Sequence, residues 1–190
     1  MPAPYDTHTT TGELVADYDS LINGKVILIT GVSQGSLGGF FVESIAKAKP
    51  SRLILAGRNA DKLSQIEAAI IAAQPGIKVS ILQVDLGSLE NVRNAAAQVN
   101  SWNDIPAIDV LVNNAGIMAE GKTYNRWYAY GQSKTANMLF AISLAQKIGV
   151  KHNLQAFSLH PGVIWTNLGS HIDWSVEMDE LLLKPNDSGD

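Results

Sequence analysis

A chain of 190 residues, 46% of them hydrophobic and 17% charged, has material for one globular core. A net charge of −4, with lysine and arginine scattered along the chain, gives no basic field for nucleic acid. The lack of cysteine excludes disulfides and thiolate metal sites and fits a cytoplasmic setting, and His8, His152, His160 and His171 have no metal-ligand spacing.

Residues 1–20 read as a polar arm on the surface. They have neither the basic start nor the apolar stretch of a signal peptide, and no apolar run in the chain approaches the ~20 residues of a membrane span. Val26 to Ile29 is an unbroken, β-branched-rich run, the mark of a strand buried on both faces. Gly31, Gly35, Gly38 and Gly39 follow, then Phe40, Phe41, Ile45, Ala46 and Ala48 at helical spacing, with Pro50 closing that helix. A second strand is expected over Arg52 to Ala56 and a helix capped by Asn59, running to about Ala73 and ended by Gln74-Pro75-Gly76. Lys78 to Val84 is the third strand, Ser88 caps a helix to about Asn100, and Ile108 to Val112 is the fourth strand. A helix from about Asn125 to Ile148 places Met138, Ala141, Ile142, Ala145 and Ile148 on its core face. Repeated strand–helix units of this length make an α/β fold with a parallel, doubly wound sheet.

Ligands of such sheets sit past the carboxyl ends of the strands. A strand, a glycine turn and a helix present backbone N–H groups and the positive end of a helix to a phosphate, though a plain αβ connection can carry the same glycines. The second strand ends in Ala56-Gly57-Arg58, a cation where an NAD site carries a carboxylate. Arg58 can pair with a 2′-phosphate, which favours NADP(H) and leaves NAD(H) possible; the alternative is a solvated loop arginine. Asp85 and Leu86 suit the edge and face of an adenine. Asn113-Asn114-Ala115-Gly116 lets backbone approach a ribose while the amides tie neighbouring loops, or it is a simple turn. Tyr130 and Lys134, four apart, share one side of their helix. An ammonium and an oxidised nicotinamide favour a phenolate, which gives the pair acid–base use; an amphipathic surface pair has the same spacing.

Taken in order, Thr30-Gly31-x-x-x-Gly35, Asn113 to Gly116, Tyr130-x-x-x-Lys134 and Pro161-Gly162-Val163-Ile164-Trp165-Thr166 resemble the short-chain dehydrogenase/reductase family over roughly residues 20–170. The run Tyr130 to Phe140 and His160-Pro161-Gly162 are similar to its retinol-dehydrogenase-like branch. The resemblance implies a Rossmann-type fold over residues 21–170, followed by a shortened lid and acidic tail over 171–190. It also implies NAD(P)(H) and hydride transfer between nicotinamide and a small carbonyl or alcohol substrate. Tyr130 would then give or take the proton, Lys134 would favour the phenolate and hold the nicotinamide ribose, and Pro161, Gly162, Val163 and Thr166 would hold the carboxamide. Gly31, Ser33, Gln34, Gly35, Ser36, Leu37 and Gly38 fall on the phosphate turn. Such proteins often pair into homo-oligomers.

One interval departs from the family. Between Gly116 and Tyr130 lie 13 residues, Ile117 to Ala129, where the family places a helix and a strand; a βαβ unit takes about 30 residues. The family's catalytic Asn and Ser belong to that interval. In this chain Ile117-Met118-Ala119 stands at the serine's place; Thr123 and Ser133 are the nearest alternatives, and neither matches. The expected sheet is therefore shortened by at least one strand and helix, with Leu154 to Leu159 sliding in beside the fourth strand and pairing Ala156–Leu159 with Val110–Asn113. A short helix is expected around Val176 to Leu183. The alternative function is a catalytically silent dinucleotide-binding module or an incomplete variant of such an enzyme.

Overall fold

The computed structural model describes residues 5–116, 126–161, 164 and 166. β1 (Val26–Thr30) is buried at every position and lies inside a parallel four-stranded sheet of order β3-β2-β1-β4, with β2 at Arg52–Gly57, β3 at Lys78–Gln83 and β4 at Val110–Val112. Ile27 is level with Leu53 on one side and Val110 on the other. Side chains alternate across the sheet, as the two-residue period of a strand requires. Ile27, Ile29, Leu53 and Leu55 meet Val42, Ile45, Leu63, Ile66 and Ile70 of α3 (Leu37–Ile45) and α4 (Ala60–Ala73). Val26, Leu28, Ile54, Ala56 and Leu82 face Ala95 of α5 (Leu89–Asn100) and Ile105. Helices thus cover both faces, the doubly wound architecture expected, and the sheet is short, as expected.

Asn59 caps α4 by accepting from the Lys62 N–H at 3.0 Å, and Ser88 caps α5 by accepting from Asn91 at 3.3 Å. Each such cap contributes about 1 kcal/mol. β4 begins at Val110 rather than Ile108, because Ile108 packs into the second cluster and Asp109 turns its carboxylate onto β1. That carboxylate accepts the Val26 N–H at 2.8 Å and meets Lys25 Nζ at 3.2 Å. The Val26 hydrogen bond first, and Lys25 after it, hold the Asp109 carboxyl below the usual carboxylate range. A depressed folded-state value adds stability that is complete above the ordinary carboxyl value of about 3.9 and lost as pH falls through the folded value. Asp109→Asn should therefore cost about 0.5–1 kcal/mol near neutrality, the size of a solvent-screened pair. In urea titrations the gap from wild type should close below about pH 4; a gap independent of pH would show that the charge does not matter.

Three expectations are corrected. Residues 5–20 are not simply a surface arm. α1 (Thr11–Asp17) starts in a capping box, with Thr10 Oγ1 accepting from Glu13 N at 3.3 Å and Glu13 accepting from Thr10 N at 2.7 Å, and α2 (Asp19–Ile22) follows. Val15 of α1 is buried in the first cluster. Second, Leu154–Leu159 forms no strand and does not pair with β4. Asn153 adopts the left-handed conformation at φ 49°, the Leu154 N–H is taken by Gly149 O at 2.8 Å, and Phe157 and Leu159 are left 79% and 84% exposed. Third, the supposed core face of α6 (Arg126–Leu144) is largely uncovered. Ala141 is buried, but Met138, Ile142, Ala145 and Ile148 are exposed, since the described sheet ends at β4 and puts no further strand beneath them. α6 runs on through a π-helical turn, Ala145–Gly149, into the single turn Val150–His152.

Candidate functional site

The topology makes a crevice between β1 and β4, where successive connections leave in opposite directions. Gly31 opens it at φ +75°, its N–H donating to Ala56 O at 2.9 Å. A side chain is excluded there, since a Cβ would stand 2.6 Å from Ala115 Cα. Gly35 also has positive φ. Ser36 caps α3: its hydroxyl accepts the Gly39 N–H and the Ser33 N–H, each at 3.1 Å, and donates to Ser33 O at 2.7 Å. The Ser36 hydroxyl is thus engaged in shaping the turn. Leu37 and Gly38 stand at the first two helical positions, whose N–H groups have no acceptor within the helix. At Gly38 a Cβ would approach Asn114 Nδ2 to 2.6 Å and Gly31 O to 2.7 Å, so glycine is what allows α3 to sit against the strand end. Gln34 and Gly35 are exposed at the turn's tip.

Asn114 joins the two strand ends. Its Nδ2 donates to Thr30 O at 2.9 Å and to Gly31 O at 3.0 Å, the loop-tying role expected of that amide. Thr30 completes the clasp: its buried hydroxyl accepts the Ala115 N–H at 3.1 Å. Beyond its place in the motif, what marks Thr30 in the sequence is a hydroxyl closing an otherwise apolar strand.

α6 delivers the titratable pair. Lys134 Nζ donates to Asn114 O at 3.1 Å and Ala115 O at 3.2 Å, and stands 5.5 Å from the centre of the Tyr130 ring. Burial pushes the Lys134 ammonium below the usual lysine range. Among the described residues two of its three donors are taken, which leaves one for a ligand. Gly116 lies beneath both side chains, since a Cβ there would be 3.1 Å from Lys134 Nζ and 3.2 Å from Tyr130 Cε2. The Ser133 hydroxyl donates to Tyr130 O at 2.7 Å, back along its own helix.

The remaining candidates ring the crevice less closely. Arg58 is exposed just past β2, its carbonyl accepting from Gln83 Nε2 at 3.1 Å. Asp85 and Leu86 are exposed past β3, where Asp85 Oδ1 accepts the Gly87 N–H at 2.9 Å. Pro161 is exposed and Thr166 partly buried, both outside helix and strand. Gly162, Val163, Ile117 to Ala119, Thr123 and the segment 176–183 lie outside the described residues.

A parallel α/β sheet with a glycine turn at the mouth of its inner strand, facing a helical Tyr–Lys pair, defines the class. The chain belongs to the short chain dehydrogenase family, which matches residues 25–126. It is similar to the oxidoreductase fscI of Fusarium equiseti, 36% identical over 60% of this chain and 43% of that protein. It is also similar to human retinol dehydrogenase 14, 24% identical over 80% of this chain and 65% of that protein. The chain thus spans less than two thirds of either relative. The alignment with retinol dehydrogenase 14 runs over 224 positions, more than the 190 residues available, so this chain passes over segments that the relative carries. The fold is that of L-sorbose reductase from Gluconobacter frateurii, solved with NADPH and L-sorbose, at a TM-score of 0.65 and 23% identity over 87% of this chain and 77% of that one.

Proposed function

We propose that the crevice binds NADP(H), in preference to NAD(H), and uses it in a cytoplasmic oxidoreductase reaction on a small or medium apolar carbonyl or alcohol. One observation carries the reading: Lys134 Nζ, the Tyr130 ring and side-chain-free Gly116 meet at the strand end that Asn114 clasps to the glycine turn. The residues fit a dinucleotide. Gly31 and Gly38 leave no Cβ where backbone and helix converge, and the first-turn N–H groups of α3 suit a pyrophosphate. Bound there, the nicotinamide would supply or accept the hydride at the substrate carbon.

The chain's own residues do the rest. Tyr130 Oη gives its proton to the carbonyl oxygen during reduction and recovers it from the alcohol during oxidation. The Lys134 ammonium steadies the phenolate left behind, and its remaining N–H holds the ribose. Pro161, Gly162, Val163 and Thr166 are the residues we assign to the carboxamide, and Asp85 and Leu86 to the adenine. Arg58 is the residue assigned to the 2′-phosphate, a reading supported by its exposure past β2 and by the NADPH held by the L-sorbose reductase. Arg58→Ala should weaken NADPH roughly 10- to 100-fold, the worth of a charge-assisted bond, and leave NADH within about threefold. Fluorescence titrations with both nucleotides decide it, and equal losses would refute the preference.

A second reading is a module that binds the dinucleotide and turns over little. It is favoured by Ser133, the serine or threonine closest in sequence to Tyr130, which donates to its own helix rather than toward a carbonyl substrate. Consumption of NADPH with a panel of aldehydes and ketones separates the two: saturable binding without turnover supports the module.

A further inference from the structure

β3 carries one polar residue on a face that is otherwise apolar. Val79 and Ile81 pack against the cluster that holds Leu63, Ile66 and Ile70 of α4, while Leu82 belongs to the opposite cluster. The two-residue period of a strand puts Gln83 on the α4 face, at the end of the sheet where α4 begins. Gln83 is exposed, and its Nε2 donates to the Arg58 carbonyl at 3.1 Å. We propose that Gln83 is a positioning residue for cofactor choice, fixing the backbone from which Arg58 reaches the 2′-phosphate of NADP(H), an inference that rests on the assignment of Arg58 to that phosphate.

Arg58 and Asn59 are the whole link between β2 and α4. The direction in which the Arg58 side chain leaves depends on two soft dihedrals, one for each peptide plane flanking its Cα. β3 holds both planes. The carbonyl of Gly57, in the plane before Arg58, accepts the Val84 N–H at 2.9 Å. The carbonyl of Arg58, in the plane after it, accepts from Gln83. Gly57 and Gln83 are level across the sheet, so the two bonds come from neighbouring residues of one strand end. Asn59 accepts the Lys62 N–H at 3.0 Å and fixes the start of α4 beyond them.

The Arg58 guanidinium itself is uncommitted. Among the described residues it has no hydrogen bond and no ion pair; the ion pairs are Lys25–Asp109 and Arg52–Asp104, at the other end of the sheet. A pinned backbone under a free guanidinium suits a phosphate, because part of the ordering that binding costs is done beforehand. Gln83 touches no nucleotide in this scheme and acts through Arg58 alone. Its effect therefore falls on NADP(H) and spares NAD(H), which has a 2′-hydroxyl in place of the phosphate. A residue that merely finished the strand would affect both nucleotides alike.

The test is a fluorescence titration of the full chain with NADPH and with NADH, on wild type, Gln83→Met, Arg58→Ala and the double variant. Methionine keeps the length of the side chain and removes the donor. Gln83→Met should weaken NADPH about three- to tenfold, the worth of one hydrogen bond, and leave NADH within about twofold. In the Arg58→Ala background the same change should cost less than about twofold, since the residue it acts through is gone. Equal losses for both nucleotides, an unchanged NADPH affinity, or an undiminished loss beside Arg58→Ala would each overturn the proposal and leave the dinucleotide site standing. A cooperatively folded wild type that binds no NADPH would overturn the dinucleotide reading, and this proposal with it. Should Gln83→Met fail to melt cooperatively, Gln83→Val, a strand former without a donor, takes its place with the same outcomes.

Discussion

Tyr130→Phe is expected to lower NADPH-dependent carbonyl reduction by roughly 10²–10⁴-fold, the contribution of a positioned general acid. NADPH affinity should stay within about threefold, because what the substitution removes is a proton donor rather than a contact of the phosphate turn. The phenyl ring of the variant would still pack against Gly116, where Tyr130 Cε2 comes within 3.2 Å of a Cβ position, so the fold loses little. Lys134 keeps its two carbonyl partners in the variant, Asn114 O and Ala115 O, which separates the loss of the proton from any collapse of the site. Steady-state rates and a nucleotide titration on the same preparations check this. If wild type and Tyr130→Phe consume NADPH equally slowly while both bind it, the silent module is the better account.

Gly31→Ala carries the largest expected effect on stability. Two costs combine: a left-handed φ of +75°, and a Cβ 2.6 Å from Ala115 Cα, which is backbone and cannot swing aside. The first is worth roughly 1–2 kcal/mol and the second roughly 1–3 kcal/mol, in total about 2–5 kcal/mol. That is a large share of the 5–15 kcal/mol typical of a domain. Gly24 provides the internal control, with φ +74° but nothing within 4 Å of its Cβ position. Gly24→Ala should therefore show the conformational cost alone, about 1–2 kcal/mol. Urea unfolding of both variants isolates the overlap. Equal losses would mean that the turn is not clamped against Ala115.

Where local chemistry decides, the fold could be read directly. Val26 to Ile29 is apolar without interruption because both its faces are covered, and Asn59 and Ser88 announce helices because their oxygens satisfy first-turn donors. What depended on a neighbour could not be read. The spacing of Met138, Ala141, Ile142, Ala145 and Ile148 marks an apolar face, and periodicity is silent on whether a sheet lies beneath it. Leu154 to Leu159 has the composition of a strand, but pairing needs a return to β4, and the left-handed Asn153 with the Gly149–Leu154 bond sends the chain elsewhere. At the site, glycine spacing located the turn, while its geometry came from partners distant in sequence. Asn114 reaches back 83 residues to Gly31, and Lys134 reaches 20 to Asn114. Ser36 stands in the turn as a candidate ligand contact, yet its hydroxyl is bound to the Ser33 N–H and carbonyl of its own loop and to the Gly39 N–H of α3.

The proposed function requires the mouth of β1 to hold a dinucleotide, and a fluorescence titration of the intact chain with NADPH asks this with no substrate in hand. Saturable binding in the micromolar range, competed by NADP⁺ and lost in Gly38→Val, where a side chain would meet Asn114 and Gly31, is the predicted result. A cooperatively folded chain that leaves NADPH fluorescence unchanged, or that binds it as well with Gly38→Val, would contradict the account.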